Sequence, residues 1–244
     1  MMSKTARNAK MLLQGSCFLL FAADAIAADA VWSPAIDAAC PEAVKERAER
    51  RAARPVPTDV STFSRPALRT QLLQMQQQDQ DARELFAAAF AEGDVPMDHP
   101  ASVHVGEVDD LNLQKLKHII AQDGFPTIAM VGVDGVHAAF LLTQHADVDP
   151  NFQKKMLRVL TNRFRAGEIP GGQFAMLTDR VLIAEGKPQR FGTQFHGEGE
   201  DLKPFPIADE VHVEERRQAL GVISLANYAC VVHAGSDTKP TAKP

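Results

Sequence analysis

The sequence predicts a mainly α-helical fold, a bundle of about six helices with one small β-hairpin. Three observations carry this expectation. Aromatic residues make up only 6%, with one Trp and one Tyr, too few for a sandwich or barrel built on aromatic and β-branched side chains. Long stretches place apolar residues at helical spacing without Gly or Pro between them. The best strand candidate is the segment 189–196, followed by a second short one near 202–207. With 244 residues, 45% hydrophobic and 23% charged, the chain has the composition of one globular domain with an appendage. That excludes a disordered, collagen-like or disulfide-dense protein.

Taken in order, the elements begin with an export signal over residues 1–27. Lys4, Arg7 and Lys10 precede an apolar run from Met11 to Ala23, and Ala25-Ile26-Ala27 supplies the small residues of a cleavage site. The protein is therefore expected to be periplasmic or secreted. The run is too short to span a bilayer, and no later stretch nears the roughly 20 apolar residues a span needs. No transmembrane segment is expected in the mature chain. Residues 28–66 read as an N-terminal helix and a Pro-rich linker: Pro41 suits a first helical turn, and Glu46 and Arg50 stand at i,i+4.

A helical domain follows over 67–233. Its first helix, Ala67 to Glu92, presents Leu68, Leu72, Met75, Leu85 and Phe86 to a core. Gly93 to Val108 reads as irregular, and a helix from Asp109 carries Leu113, Leu116 and Ile120 until Gly124-Phe125-Pro126 stops it. Asp134 caps the next helix, apolar nearly all round through His145, as befits the middle of a bundle. Asp149-Pro150 opens another, with Phe152, Met156, Val159 and Leu160 on one face. Gly171-Gly172 lead into Gln173 to Ala184. The hairpin pairs 189–196 with a strand near Leu202 to Ile207, and a last helix runs from Val213 past Leu220 and Ile223 to Cys230. Residues 234–244 read as a disordered polar tail. No repeat of 20 to 50 residues is present.

The 26 basic and 31 acidic residues give a net charge of −5 with no basic run after the signal, so nucleic acid is not an expected partner. Cleavage after Ala27 removes Cys17 and leaves Cys40 and Cys230. In an oxidising compartment these two pair as a disulfide or stay as separate buried thiols.

Several polar residues fall on apolar helices, where burial costs free energy unless partners are found. His145 with Asp147 and Asp149 offers a possible divalent-ion set, but Asp149 serves as a helix cap and Asp147 lies in the turn. With no HExxH, CxxC or EF-hand spacing, no metal or other cofactor is assigned. Asp179 and Arg180 sit mid-helix and point about 100° apart, so each needs a partner elsewhere. Asp79 and Arg83 stand at i,i+4. One reading makes these charges a network that fixes how helices dock. The other makes His145, Asp179 and Arg180 catalytic, with His145 as general base and Arg180 stabilising a developing anion. No GxSxG nucleophile is present, so activated water and hydrolysis are implied. Nucleotide-binding motifs are absent too.

These residues also carry a resemblance. Asp79-Gln80 and Arg83, Gly124-Phe125-Pro126, Gln144-His145-Ala146-Asp147, Thr178-Asp179-Arg180 and Gly186-Lys187-Pro188-Gln189-Arg190-Phe191-Gly192-Thr193-Gln194 together resemble an uncharacterised bacterial domain family over residues 67–230. The resemblance implies a helical fold and a shared polar site, and it supplies no substrate. The family usually carries Trp where this chain has Phe125 and Tyr where it has Phe191. Carried over by position, it adds Asp79, Arg83, Gln144, Gln189, Thr193 and Gln194 as ligand-binding residues beside the catalytic three. The combined expectation is an exported protein whose polar pocket binds a small polar ligand such as a peptide or glycan fragment, with hydrolysis of that ligand as the catalytic form of the expectation. The competing expectation is a non-catalytic envelope or interaction protein.

Overall fold

A computed structural model of the chain describes residues 32–53, 62–93, 95–197 and 199–237. The expected export signal over 1–27, residues 54–61 of the expected linker and residues 238–244 of the expected tail lie outside the described residues. Nine α-helices and one two-stranded antiparallel sheet are present among the described residues, so the mainly helical class with a small hairpin holds. The helices divide between two compact units, here called the helical unit (62–170) and the disulfide unit (32–53 with 171–237).

The disulfide unit contains α1 (Pro34–Ala39) and α2 (Pro41–Ala53), and the helical unit begins with α3 (Pro66–Glu92). The buried side of α3 follows helical spacing through Leu68, Leu72, Met75, Asp79, Ala82, Arg83 and Phe86. Leu85 is 58% exposed, contrary to expectation, because it lies about 100° round the helix from Phe86. The next helix, α4 (Pro100–Asp123), starts nine residues before the expected Asp109. Pro100 occupies its first turn and the His99 ring accepts from the Ala101 amide at 3.1 Å, a cap that sequence reading overlooked.

Helix α5 (Ile128–Gln144) packs on α3, α4 and α6 (Pro150–Arg165) and is buried along most of its length. It bends at Gly132, whose φ of 76° suits glycine. Thr127 caps the turn before the bend, and Asp134 accepts from the Gly135 amide after it. Asp149 caps α6 as expected, accepting from the Phe152 amide at 3.0 Å.

In the disulfide unit, α7 (Gly171–Ala184) leads to β1 (Phe195–His196), which pairs with β2 (Lys203–Pro204) in the register Phe195 to Pro204. The strands are much shorter than 189–196 and 202–207 because residues 189–194 wrap around a side chain instead of pairing in a ladder. The expected last helix divides into α8 (Val213–Ala219) and α9 (Leu225–Asp237). Gly221, with φ of 71°, closes α8 as its amide binds the Gln218 carbonyl while the Val222 amide binds that of Arg217. Helix α9 extends through residues 234–237, which had read as tail.

Cys40 and Cys230 form a disulfide with their Cα atoms 6.0 Å apart. Around it Ile36, Ala43, Phe195, Leu202, Ile223, Tyr228, Val231 and Val232 form one apolar cluster. Glu46 reinforces the connection between α2 and α9. Its Oε2 accepts from the Ser224 amide, the Ser224 hydroxyl and Asn227 Nδ2 at 2.9, 2.8 and 2.7 Å. Burial favours the neutral acid, but these donors and Arg50 outweigh it and lower the carboxyl from 4.5 to about 2.

Candidate functional site

Three helices of the helical unit bring ionisable groups together. Asp79 comes from the buried stripe of α3, Asp109 from α4, and His145 from the C-terminal end of α5. His145 Nδ1 lies 2.7 Å from Asp79 Oδ1, and both side chains are buried. Arg83, one turn along α3, places Nη1 at 3.2 Å from the same Asp79 oxygen. Its two terminal nitrogens grip Asp109 at 3.0 and 3.1 Å, a bidentate pair. Gln80 Nε2 donates to the other Asp79 oxygen at 2.8 Å.

The two carboxylates differ electrostatically. Burial would raise Asp79, but His145, through charge and hydrogen bond, and Arg83 together hold it below its ordinary value. For Asp109 burial prevails over Arg83 and His145 and pushes the carboxyl up. The combination is two acids of unequal proton affinity, one oriented imidazole and one guanidinium. Such a set can orient a base, stabilise an anion or ligate a cation.

Gln144, the residue before His145, is buried, and its backbone carbonyl accepts from Gln153 Nε2 at 2.8 Å. Gln153 also donates to Asp147 at 2.9 Å, while Lys117 donates to the capping Asp149 at 2.7 Å. Asp147 and Asp149 thus have partners in the turn and the cap, and Asp79 and Asp109 both lie beside His145.

The remaining expected site residues belong to the disulfide unit. Asp179 is fully buried on α7. Its Oδ1 accepts from the Arg190 and Phe191 amides at 2.7 and 3.0 Å, and its Oδ2 from the Thr193 amide and hydroxyl, both at 2.9 Å. Burial raises the carboxyl against the pull of these donors, yet all four partners donate, an arrangement that a carboxylate satisfies and a carboxylic acid does not. Gln189 ties the same loop at its ends: Nε2 donates to the Gln194 and Phe205 carbonyls, and Oε1 accepts from the Gln194 amide. Gln194 Nε2 donates to Thr193 Oγ1 at 3.2 Å. Arg180, the next residue of α7, is buried as well.

Sequence reasoning missed four participants. Asp109 joins Arg83 and His145, Tyr228 donates to the Thr193 carbonyl at 3.0 Å, and the buried Arg217 donates to the Phe191 and Ile223 carbonyls. Glu46 had been read only as a surface partner of Arg50. A signal for Asp109 existed: with Leu113, Leu116 and Ile120 it lies on one helical stripe.

The profile of a family of unknown function (DUF6624) matches residues 66–239. The chain belongs to this family. The DUF6624 span runs from α3 to the end of α9 and so contains both polar clusters, whereas Cys40 and Glu46 precede it. No curated protein and no solved structure matches the chain. Among the described residues, no helix of this DUF6624 member is long and apolar enough to cross a membrane.

Proposed function

We propose that this is an exported protein that binds a small polar ligand, a peptide or glycan fragment, and hydrolyses it at the Asp79–His145 pair. The observation that carries this reading is the 2.7 Å contact of His145 Nδ1 with a buried carboxylate. An imidazole that donates its Nδ1 proton to Asp79 has its lone pair on Nε2. That nitrogen takes the proton of the attacking water, while Asp79 stabilises the imidazolium that forms. Arg83 supplies positive charge next to the pair. With both cysteines of the described chain held in the disulfide and the Thr193 hydroxyl bound to Asp179, this reading takes water as the nucleophile. That disulfide also supports an oxidising compartment, in keeping with the basic and apolar pattern of residues 1–27. In this reading Asp179, Gln189, Thr193 and Gln194 serve by shaping the 189–194 loop.

A second reading is favoured by Arg83, which already compensates both carboxylates. In that case the cluster only fixes how α3, α4 and α5 dock. One experiment separates the two. Protein recovered from the periplasm, with Ala28 as its first residue, is incubated with panels of peptides and oligosaccharides beside a His145→Gln variant, and products are read by mass spectrometry. The hydrolytic reading expects cleavage by the wild type that falls by about 100-fold or more in a variant that still folds. Failure to cleave any member of either panel, with His145→Gln altering stability alone, favours docking.

A further inference from the structure

The position of Arg83 holds more information than an ion pair requires. Its Nη1 lies 3.2 Å from Asp79 Oδ1 and 3.0 Å from Asp109 Oδ1, a single positive nitrogen between two carboxylates. One ligand atom each from Asp79, Asp109 and His145 lies within 4.8 Å of the others. A cation between them would therefore meet two oxygens and an imidazole nitrogen delivered by three separate helices, a framework that resists collapse when the occupant changes. A second observation points the same way. Asn112 lies one turn along α4 from Asp109, is 3% exposed, and donates through Nδ2 to the carbonyl of Met75, one turn before Asp79 on α3. Its Oδ1 is buried and has no hydrogen-bond partner among the described residues. That buried, unpartnered oxygen sits at the contact of the two helices that supply the carboxylates, about one turn from each of them.

We infer that Asp79, Asp109 and His145 form a binding site for a divalent first-row transition-metal ion, whose place between the two carboxylates is held here by Nη1 of Arg83. The mixed nitrogen and oxygen donors suit zinc, manganese or cobalt better than calcium or magnesium, which take oxygen alone. When the ion binds, the Arg83 guanidinium swings away, and His145 exchanges its hydrogen bond to Asp79 for a bond to the metal. Two carboxylates balance the double charge of the ion. Three protein ligands leave a coordination position for water, the pattern of a catalytic site rather than a closed structural one. With Nδ1 on the metal, His145 would no longer act as the Asp79-oriented base of the hydrolytic reading, and the ion would take over activation of the water; the binding of the ion does not depend on hydrolysis.

The test uses the full disulfide-bonded protein, freed of metal by chelation and titrated with Zn²⁺ and with Co²⁺ by calorimetry and visible absorption. The expected result is one ion per chain, a Co²⁺ spectrum showing nitrogen ligation, and affinity weakened at least about tenfold in Asp109→Asn and in His145→Gln. Asp149→Asn, at the α6 cap, keeps wild-type affinity. Should the site variants fail to fold, the wild type decides alone through a rise in melting temperature with Zn²⁺ that Mg²⁺ does not reproduce. Absence of saturable binding to the wild type overturns the inference, as does binding that Asp109→Asn and His145→Gln both leave intact. Metal binding without hydrolysis of any substrate supports the inference and counts against the hydrolytic reading. Hydrolysis that depends on His145 in a chain with no saturable metal binding does the reverse.

Discussion

Asp79 and Asp179 are both aspartates on the buried faces of helices, yet they do different work. Asp79 faces two cationic or protonatable side chains, His145 and Arg83, whereas the partners of Asp179 are three backbone amides and one hydroxyl. Amides cannot be repositioned by a rotamer change, so removing the Asp179 carboxylate strands all of them at once. Asp179→Ala is expected to destabilise the fold by about 3 kcal/mol or more, measured by urea unfolding. Hydrogen exchange should quicken at the amides of residues 190, 191 and 193. A loss below about 1 kcal/mol would mean that the loop finds other acceptors. At this scale sequence reading found Asp79, Arg83, His145 and Asp179, because charge on an apolar stripe is visible in one dimension. It missed Asp109 because a helix believed to start there makes an acidic residue look like an ordinary first-turn group. Once α4 is seen to begin at Pro100, the same residue lies mid-helix and needs a partner.

Among the elements, α2 and α9 meet through one carboxylate that acts as an external cap. Ser224 already caps α9 through its own hydroxyl, which accepts from the Asn227 amide, and Glu46 adds a negative charge at the same helix N-terminus. The Glu46 carboxyl has a value near 2 in the fold against 4.5 without it, so its contribution is complete above about pH 4.5 and disappears as pH falls toward 2. Melting temperatures of wild type and Glu46→Gln should therefore differ at neutral pH and converge as pH drops through that window. A gap that persists at pH 2 would assign the stabilisation to packing instead. The helices were legible where caps and periodicity agreed, as at Asp149-Pro150. They were illegible where a histidine served as the cap, as at His99, or where a glycine turn divided a continuous apolar stripe, as at Gly221. The hairpin strands shrank for a related reason: the amides of residues 190, 191 and 193 turn toward Asp179, which leaves little backbone for a ladder.

At the scale of the whole molecule, the disulfide joins residues 190 positions apart. Chain-entropy reasoning assigns at most about 5 kcal/mol to a loop of that length. Reduction, or the Cys40→Ser and Cys230→Ser pair, should lower the melting temperature and expose the 32–53 segment to limited proteolysis before the rest of the chain. Equal protection of that segment with and without reductant would show that Glu46 and the apolar cluster hold it unaided. The mainly helical class could be foreseen, and the Cys40–Cys230 bond is one of the two states that the sequence leaves open for these cysteines. The division into two units could not, because the N-terminal helices join residues 171–237 through contacts that no local pattern encodes.

On the proposed export route the disulfide also bears on the history of each molecule. Cys40 would emerge before Cys230, so the bond would close only after the 190 positions that separate them have crossed. With the proposed signal and its Cys17 removed, Cys40 and Cys230 would be the two cysteines of residues 28–244, each with the other as partner. Oxidation would then have no wrong pairing within that span to correct. A bond between two chains would be the error left open, which would make export rate and local crowding the quantities that decide the yield of correctly bonded protein.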